Sequence, residues 1–245
     1  MIDDRLAAHL AHHENQARWT EALRAHVYRQ IAIGTRRRAL DVGCGGGWLV
    51  AELAGKVREA AVGCDIDPAM IQASREKFPQ LEFVASDPAR LPFADGSFDL
   101  VVCHFTLLWA ADPVALLAEM KRVAAAGGAI AALAEPDWGG YLEWPDLGLR
   151  DLISAALAAE GADPTAGRKL VDWFGRAGLR AQVGVTGGPW LADEAGLDAA
   201  WAHHRLTLAG FVDEKKLRRL EALDRRAFRE ERRLAHLPLC WAVAR

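Results

Sequence analysis

The chain has 245 residues, 51% hydrophobic and 26% charged, with a net charge of −3 at pH 7. That balance belongs to a folded chain with a sizeable core and excludes disorder as a description of the whole. The slight negative charge gives no support to a nucleic-acid-binding surface.

In chain order, the first thirty residues read as helix: Leu6, Leu10, Ala17, Leu23, Val27 and Ile31 recur at helical spacing without Pro or Gly before Gly34. Ala39–Val42 is a short apolar strand running into a glycine cluster. Strands at 60–64, 81–85, 98–103 and 128–134 then alternate with helices at 68–78 and 114–123, a pattern that argues for βαβ units and a parallel sheet. Asp-Pro at 67–68 and 112–113 marks two helix starts, with Asp as N-cap and Pro at the first helical position. After the loop Asp137-Trp138-Gly139-Gly140, helices are predicted at about 146–160 and 164–177, a strand at 179–185, mostly helix over 193–234 and a last strand at 238–244. Leu217, Leu220, Leu223, Ala227 and Leu234 form an apolar stripe in a basic setting, and the interleaved acids mark a solvated amphipathic helix. No repeat, low-complexity tract or linker divides the chain, so one domain spanning 1–245 is expected: a helical cap (1–33), a ligand-binding core (34–136), then further helices and the last strands (137–245).

Met1-Ile-Asp-Asp-Arg lacks the basic-then-apolar profile of a secretory signal, and no apolar stretch is long enough to span a bilayer. Cys44, Cys64, Cys103 and Cys240 are widely spread, with neither a Cys-x-x-Cys pair nor zinc spacing. Reduced thiols, a cytoplasmic location and no membrane partner are the expectations.

Leu40-Asp41-Val42-Gly43-Cys44-Gly45-Gly46-Gly47-Trp48 is the most informative stretch. Glycines between a strand and a helix let backbone approach a ligand where helix N-terminal amides point outward. The dinucleotide fingerprint Gly-x-Gly-x-x-Gly fails in both registers, since its last position is Trp48 or Val50. The segment instead resembles the Asp-x-Gly-x-Gly-x-Gly signature of class I S-adenosylmethionine-dependent methyltransferases. Val62-Gly63-Cys64-Asp65-Ile66-Asp67-Pro68-Ala69-Met70 is similar to the second strand of that family, Val84-Ala85-Ser86-Asp87-Pro88-Ala89 to the third, and Ser97–His104 to the fourth. Val123–Gly128 departs from the pattern in lacking the Pro that often precedes its glycine pair.

The resemblance covers about residues 38–135. It implies an α/β, doubly wound, Rossmann-like sheet of seven strands, six parallel and the last inserted antiparallel. It also implies S-adenosylmethionine as cofactor, with S-adenosylhomocysteine as product. Asp65 matches the acid that bonds both ribose hydroxyls, and Asp87 the one that accepts from the adenine amino group. Asp41, Gly43, Cys44, Gly45, Gly47, Ile66, Met70, Ser86, Pro88, Ala89, Cys103 and His104 complete the implied cofactor set. Ala134–Gly140, Gly161–Pro164 and Gly167–Leu170 are similar to small-molecule methyltransferases of the quinone- and natural-product-modifying type. The amino-terminal helix lacks the recognisable sequence of the quinone enzymes, so quinone biosynthesis is not supported.

Methyl transfer is an in-line displacement in which positioning supplies much of the rate, and a base helps only when the acceptor loses a proton. His104, directly after the fourth strand, is the candidate base; imidazole titrates at about pH 6–7. Trp19, Trp109, Trp138 and Tyr141 are candidate acceptor contacts, favouring a small aromatic or apolar O-, N- or C-nucleophile. Arg18 is a further candidate for closing over the cofactor with Trp19. Glu135, Asp137 and Glu143 read as loop residues. His9, His12 and His13, like His203-His204, read as solvated helix faces, and no metal is expected. A small-molecule acceptor is the expected partner, and a homodimer is compatible with the sequence. The alternatives are a non-catalytic module binding S-adenosylmethionine or S-adenosylhomocysteine, and an oxidoreductase with a degenerate loop.

Overall fold

A computed structural model describes residues 4–186 and 193–245. Met1 to Asp3, on which the expectation about a secretory signal partly rests, lie outside the described residues. Helices α1 (Asp4–Trp19) and α2 (Glu21–Gln30) precede β1 (Arg38–Val42), α3 (Trp48–Ala54), β2 (Ala60–Asp65), α4 (Pro68–Lys77), β3 (Glu82–Ala85), β4 (Phe98–Cys103), α5 (Pro113–Val123) and β5 (Ala124–Pro136). Then come β6 (Leu142–Trp144), α6 (Leu149–Ala159), α7 (Ala166–Arg176), β7 (Ala181–Val185), α8 (Glu194–Leu208), α9 (Glu214–Arg229), β8 (Leu234–His236) and β9 (Leu239–Ala244).

Seven strands form one sheet in the order β3-β2-β1-β4-β5-β9-β7. β9 runs antiparallel to both β5 and β7, while the β1, β2, β3, β4 and β5 pairings are parallel. The seven-stranded, mostly parallel sheet expected from the sequence is therefore the one observed. Its central strands are covered on both faces: Leu40, Val42, Leu100, Val101 and Val102 are buried, as continuous apolar runs in parallel sheets should be. Asp67 and Asp112 cap α4 and α5 through their side chains, each followed by Pro. The strand order reverses between β1 and β4, the place where such sheets open a crevice at their carboxyl ends.

Three local expectations change. The amino-terminal helix breaks at Thr20, whose hydroxyl donates to the Gln16 carbonyl at 2.5 Å; a threonine bonded back to the preceding turn bends or interrupts a helix. β6 and β8, three residues each, pair as an antiparallel ribbon outside the main sheet, too short for a period-2 signal. Leu234 accordingly starts a strand rather than closing the helical stripe.

Glu135 on β5 is fully buried and structural, accepting from the amides of Thr106, Leu107 and Leu108 at 2.9, 3.0 and 3.2 Å. It thereby satisfies the turn that follows β4, although burial still pushes its pKa to about 7. Nearby, α7 lies flush on the sheet at Gly167. A Cβ there would stand 2.7 Å from the Glu135 carbonyl oxygen and 2.9 Å from Cys240 Sγ. Gly167→Ala is therefore expected to destabilise the protein by about 1–2 kcal/mol, overpacking outweighing the helix propensity of Ala. Denaturant unfolding checks this: the midpoint should fall with an unchanged slope, and an unmoved midpoint would show that α7 is free to shift.

Candidate functional site

β1 ends in a loop whose glycines at 43, 45 and 47 have φ of 75°, 47° and 77°, a left-handed backbone that side chains resist. Besides the Gly43 and Cys44 amides donating to the Cys64 carbonyl, two side-chain bonds hold the loop against β2 and α4. The Gly45 amide donates to Asp65 Oδ2 at 2.8 Å, and Ser74 Oγ donates to the Gly45 carbonyl at 2.8 Å. Asp65 Oδ1 accepts from the Asp67 amide at 3.0 Å. A cavity of about 1200 Å³ opens over the carboxyl ends of β1 to β4.

Asp41, Gly43, Cys44, Gly45, Asp65, Ile66 and Met70 line this cavity, as do Ser86, Asp87, Pro88, Ala89 and His104. Two residues of the expected set stand behind the wall. A Cβ at Gly47 would meet the Phe83 ring at 2.8 Å, and Cys103 is buried within β4. Trp19, Trp109 and Trp138 line the cavity; Tyr141 does not, because its ring is buried beside Trp138 at 5.2 Å. Arg18 is exposed and off the cavity wall. Asp137 is paired with Arg168 at 2.8 Å, and Glu143 accepts from the Arg150 amide at 3.2 Å.

Burial dominates the electrostatics. Asp41 is almost completely enclosed, and its Oδ1 has no hydrogen-bond partner. Burial, with the neighbouring Asp65 carboxylate, pushes its pKa to about 8. Burial also raises Asp65. Ser86 Oγ is a second buried polar atom on this wall, with only the weakly bonding Cys64 thiol beside it. Such atoms cost free energy unless something satisfies them.

The histidines are the main correction to the sequence-based expectation. His9, His12, His13 and His203 face the cavity instead of solvent, and His204 is buried, because α1 packs on α3, α4 and α8. His12 stacks on His203 with ring centroids 4.4 Å apart, and His203 stacks on Trp138 at 5.7 Å. His13 Nδ1 accepts from the Gly46 amide at 3.3 Å. Burial lowers His12 to about 2, His13 to about 4 and both His203 and His204 to about 3, so these rings are neutral near pH 7. His104 is held well below the usual imidazole range by burial, by Arg24 and by His13. Sequence reasoning missed His12, His13, His203, Thr20 and Phe105. A polar helix face over a cavity reads like one over water, and only the i, i+3, i+4 spacing of the first three histidines marked them as neighbours. No group of three or more His, Cys, Asp or Glu among the described residues is placed to hold a metal ion.

Residues 40–132 match the family described as "Methyltransferase domain". A demethylmenaquinone methyltransferase of Beutenbergia cavernae is 34% identical over 164 residues, covering 64% of this chain and 68% of that protein. Among solved structures, a putative methyltransferase from Bacillus halodurans aligns with a TM-score of 0.63 at 16% identity, over 90% of this chain and 96% of that one. A geranyl diphosphate methyltransferase in complex with SAM aligns with a TM-score of 0.58 at 14% identity, over 93% of this chain and 84% of that one.

The raised pKa of Asp41 sets a pH dependence of stability. The folded state holds a proton that the unfolded chain releases above about pH 4, so this group's contribution to stability falls as pH rises from about 4 towards 8. Asp41→Asn, which carries no such charge, should gain stability relative to wild type across that window. Thermal unfolding of both proteins between pH 4 and 8.5 checks this, and parallel profiles would show that Asp41 ionises normally.

Proposed function

We propose, for a chain that belongs to the class I S-adenosylmethionine-dependent methyltransferases, that the cavity holds S-adenosylmethionine across its glycine-loop wall. A small aromatic or apolar acceptor then enters on the tryptophan side. The observation that carries this is a buried carboxyl oxygen with no hydrogen-bond partner, Asp41 Oδ1, on the wall beside the loop-bound Asp65.

The residues present fit the cofactor. Asp65 uses one lone-pair direction of each oxygen on the Gly45 and Asp67 amides and has acceptor capacity left for a ribose diol. Asp87 caps the Ala89 amide at 2.8 Å through Oδ1, and its exposed side chain would accept from the adenine amino group. The unpaired Asp41 carboxyl suits the ammonium of the methionine moiety, whose charge would draw off the proton that burial retains. The cofactor supplies a methyl group on a positively charged sulfur. Trp19 and Phe105, with ring centroids 5.7 Å apart, and the half-buried His104 close the wall around the reacting end. Aromatic faces there favour a cation and exclude water.

On the acceptor side, Trp109, Trp138 and the neutral imidazoles of His12 and His203 offer flat, uncharged surfaces, with Leu108, Leu157 and Leu206 between them. Such a wall selects a planar or apolar molecule over a strongly charged one. The similarity to a demethylmenaquinone methyltransferase does not by itself carry that acceptor over, because α1, which packs on the cavity, lacks the recognisable sequence of the quinone enzymes.

S-adenosylhomocysteine formation with a panel of phenols, aryl amines and aliphatic controls tests the assignment: turnover should favour the aromatic members, and preference for charged aliphatic acceptors would contradict it. Asp65→Ala should weaken cofactor affinity about a hundredfold or more, because two charge-assisted bonds at about 1.5–3 kcal/mol each are lost. Calorimetric affinity within twofold of wild type in the folded variant would overturn the ribose assignment. His104→Ala should lower kcat about 10²–10⁴-fold with little change in cofactor affinity. Because burial holds His104 neutral, its acidic limb should lie well below that of a free imidazole.

A further inference from the structure

The break between α1 and α2 places Thr20, a buried hydroxyl, against the candidate base. Thr20 Oγ1 has three neighbours. It lies 2.5 Å from the Gln16 carbonyl oxygen, 2.5 Å from an Arg24 Nη1 that donates to it, and 2.9 Å from His104 Nε2. A hydroxyl has one proton and two lone pairs. Two oxygens 2.5 Å apart need a proton between them, so the threonine proton goes to Gln16. Arg24 then takes one lone pair, and the other is left for a hydrogen carried by His104 Nε2.

Arg24 is fixed in turn. Its guanidinium is buried and paired with Glu52 on α3, Nε donating at 3.0 Å and Nη2 at 2.5 Å. The line Glu52–Arg24–Thr20–His104 thus runs from the helix after the glycine loop to the end of β4. It leaves Nδ1 as the ring nitrogen with the lone pair. His104 lines the cavity, and its Nδ1 has no hydrogen-bond partner among the described residues.

We propose that Thr20 is a positioning residue: by accepting from Nε2–H it fixes the His104 tautomer whose Nδ1 lone pair takes the hydrogen of the methyl acceptor. This rests on the assignment of His104 as the base. The acceptor atom must then carry a hydrogen, as a hydroxyl or N–H does. In the transfer, that proton moves from the attacking oxygen or nitrogen to Nδ1, and the electron pair of the broken bond stays on the attacking atom. The imidazolium so formed would stand near the Arg24 charge, so an acceptor with an acidic hydrogen, a phenol or enol, is matched better than an aliphatic alcohol.

Two-bond ¹⁵N–¹H correlation spectra of histidine-labelled protein read the tautomer directly, without any acceptor, the His104 signals being assigned by their loss in His104→Gln. Wild type should show His104 as the single Nε2–H form. Thr20→Val, close in shape but unable to accept, should shift it to a mixture or to Nδ1–H, and Thr20→Ser should restore it. An Nδ1–H ring in wild type, or an unchanged ring in Thr20→Val, overturns the proposal. Should Thr20→Val fail to fold, the wild-type and Thr20→Ser spectra still decide, since both must show Nε2–H. The base assignment fails separately: a fixed Nε2–H tautomer together with full turnover in His104→Gln would remove the catalytic meaning of Thr20 while leaving its hydrogen bonds as described.

Discussion

The bond from the Gly45 amide to Asp65 is the constraint on which the site depends. It joins the loop after β1 to the end of β2, across the two strands whose carboxyl ends define one side of the cavity. Its geometry needs the left-handed backbone at Gly45, and a Cβ there would stand 2.5 Å from the His13 ring. The loop can therefore come close to a ligand on one side and receive a helix on the other. Ser74 from α4 completes the clamp. The sheet thus delivers Asp41, Asp65, Ser86 and His104 to one wall from four successive positions in its strand order.

The enclosure of that wall explains its chemistry. Taking carboxylates and imidazoles out of water favours their neutral forms, so Asp41 moves up and the cavity histidines move down. The result is a cavity whose histidines are uncharged before a ligand enters, where an incoming cation meets a carboxyl able to ionise in response. Methyl transfer suits such a place, since fixed orientation of the reacting groups supplies much of the rate.

Much of the fold was legible because parallel strands buried on both faces write themselves as short apolar runs, and Asp-Pro caps punctuate the helices between them. Leu40 to Trp48 and the acids at 65 and 87 marked the glycine-loop wall for the same local reason: each sits where a strand ends. What was not legible depends on contacts distant in sequence. The break at Thr20 is made by a hydroxyl that bonds Gln16, Arg24 and His104 together, 84 residues separating Thr20 from His104. The histidines of α1 look solvated until α8 brings His203 against them. Tyr141 follows the fifth strand as an acceptor contact would, yet its ring turns beneath Trp138. Glu135 resembles a loop acid and instead caps three amides of another segment.

In the proposed complex the partnerless Asp41 carboxyl is completed by the amino-acid end of the cofactor. Titration calorimetry with S-adenosylhomocysteine at pH 7, in two buffers of different ionisation enthalpy, measures this most directly. One molecule should bind per chain with net release of protons to the buffer, because an ammonium beside Asp41 lowers a pKa that burial holds near 8. Binding without proton release at pH 7, or no binding at all, would contradict the account.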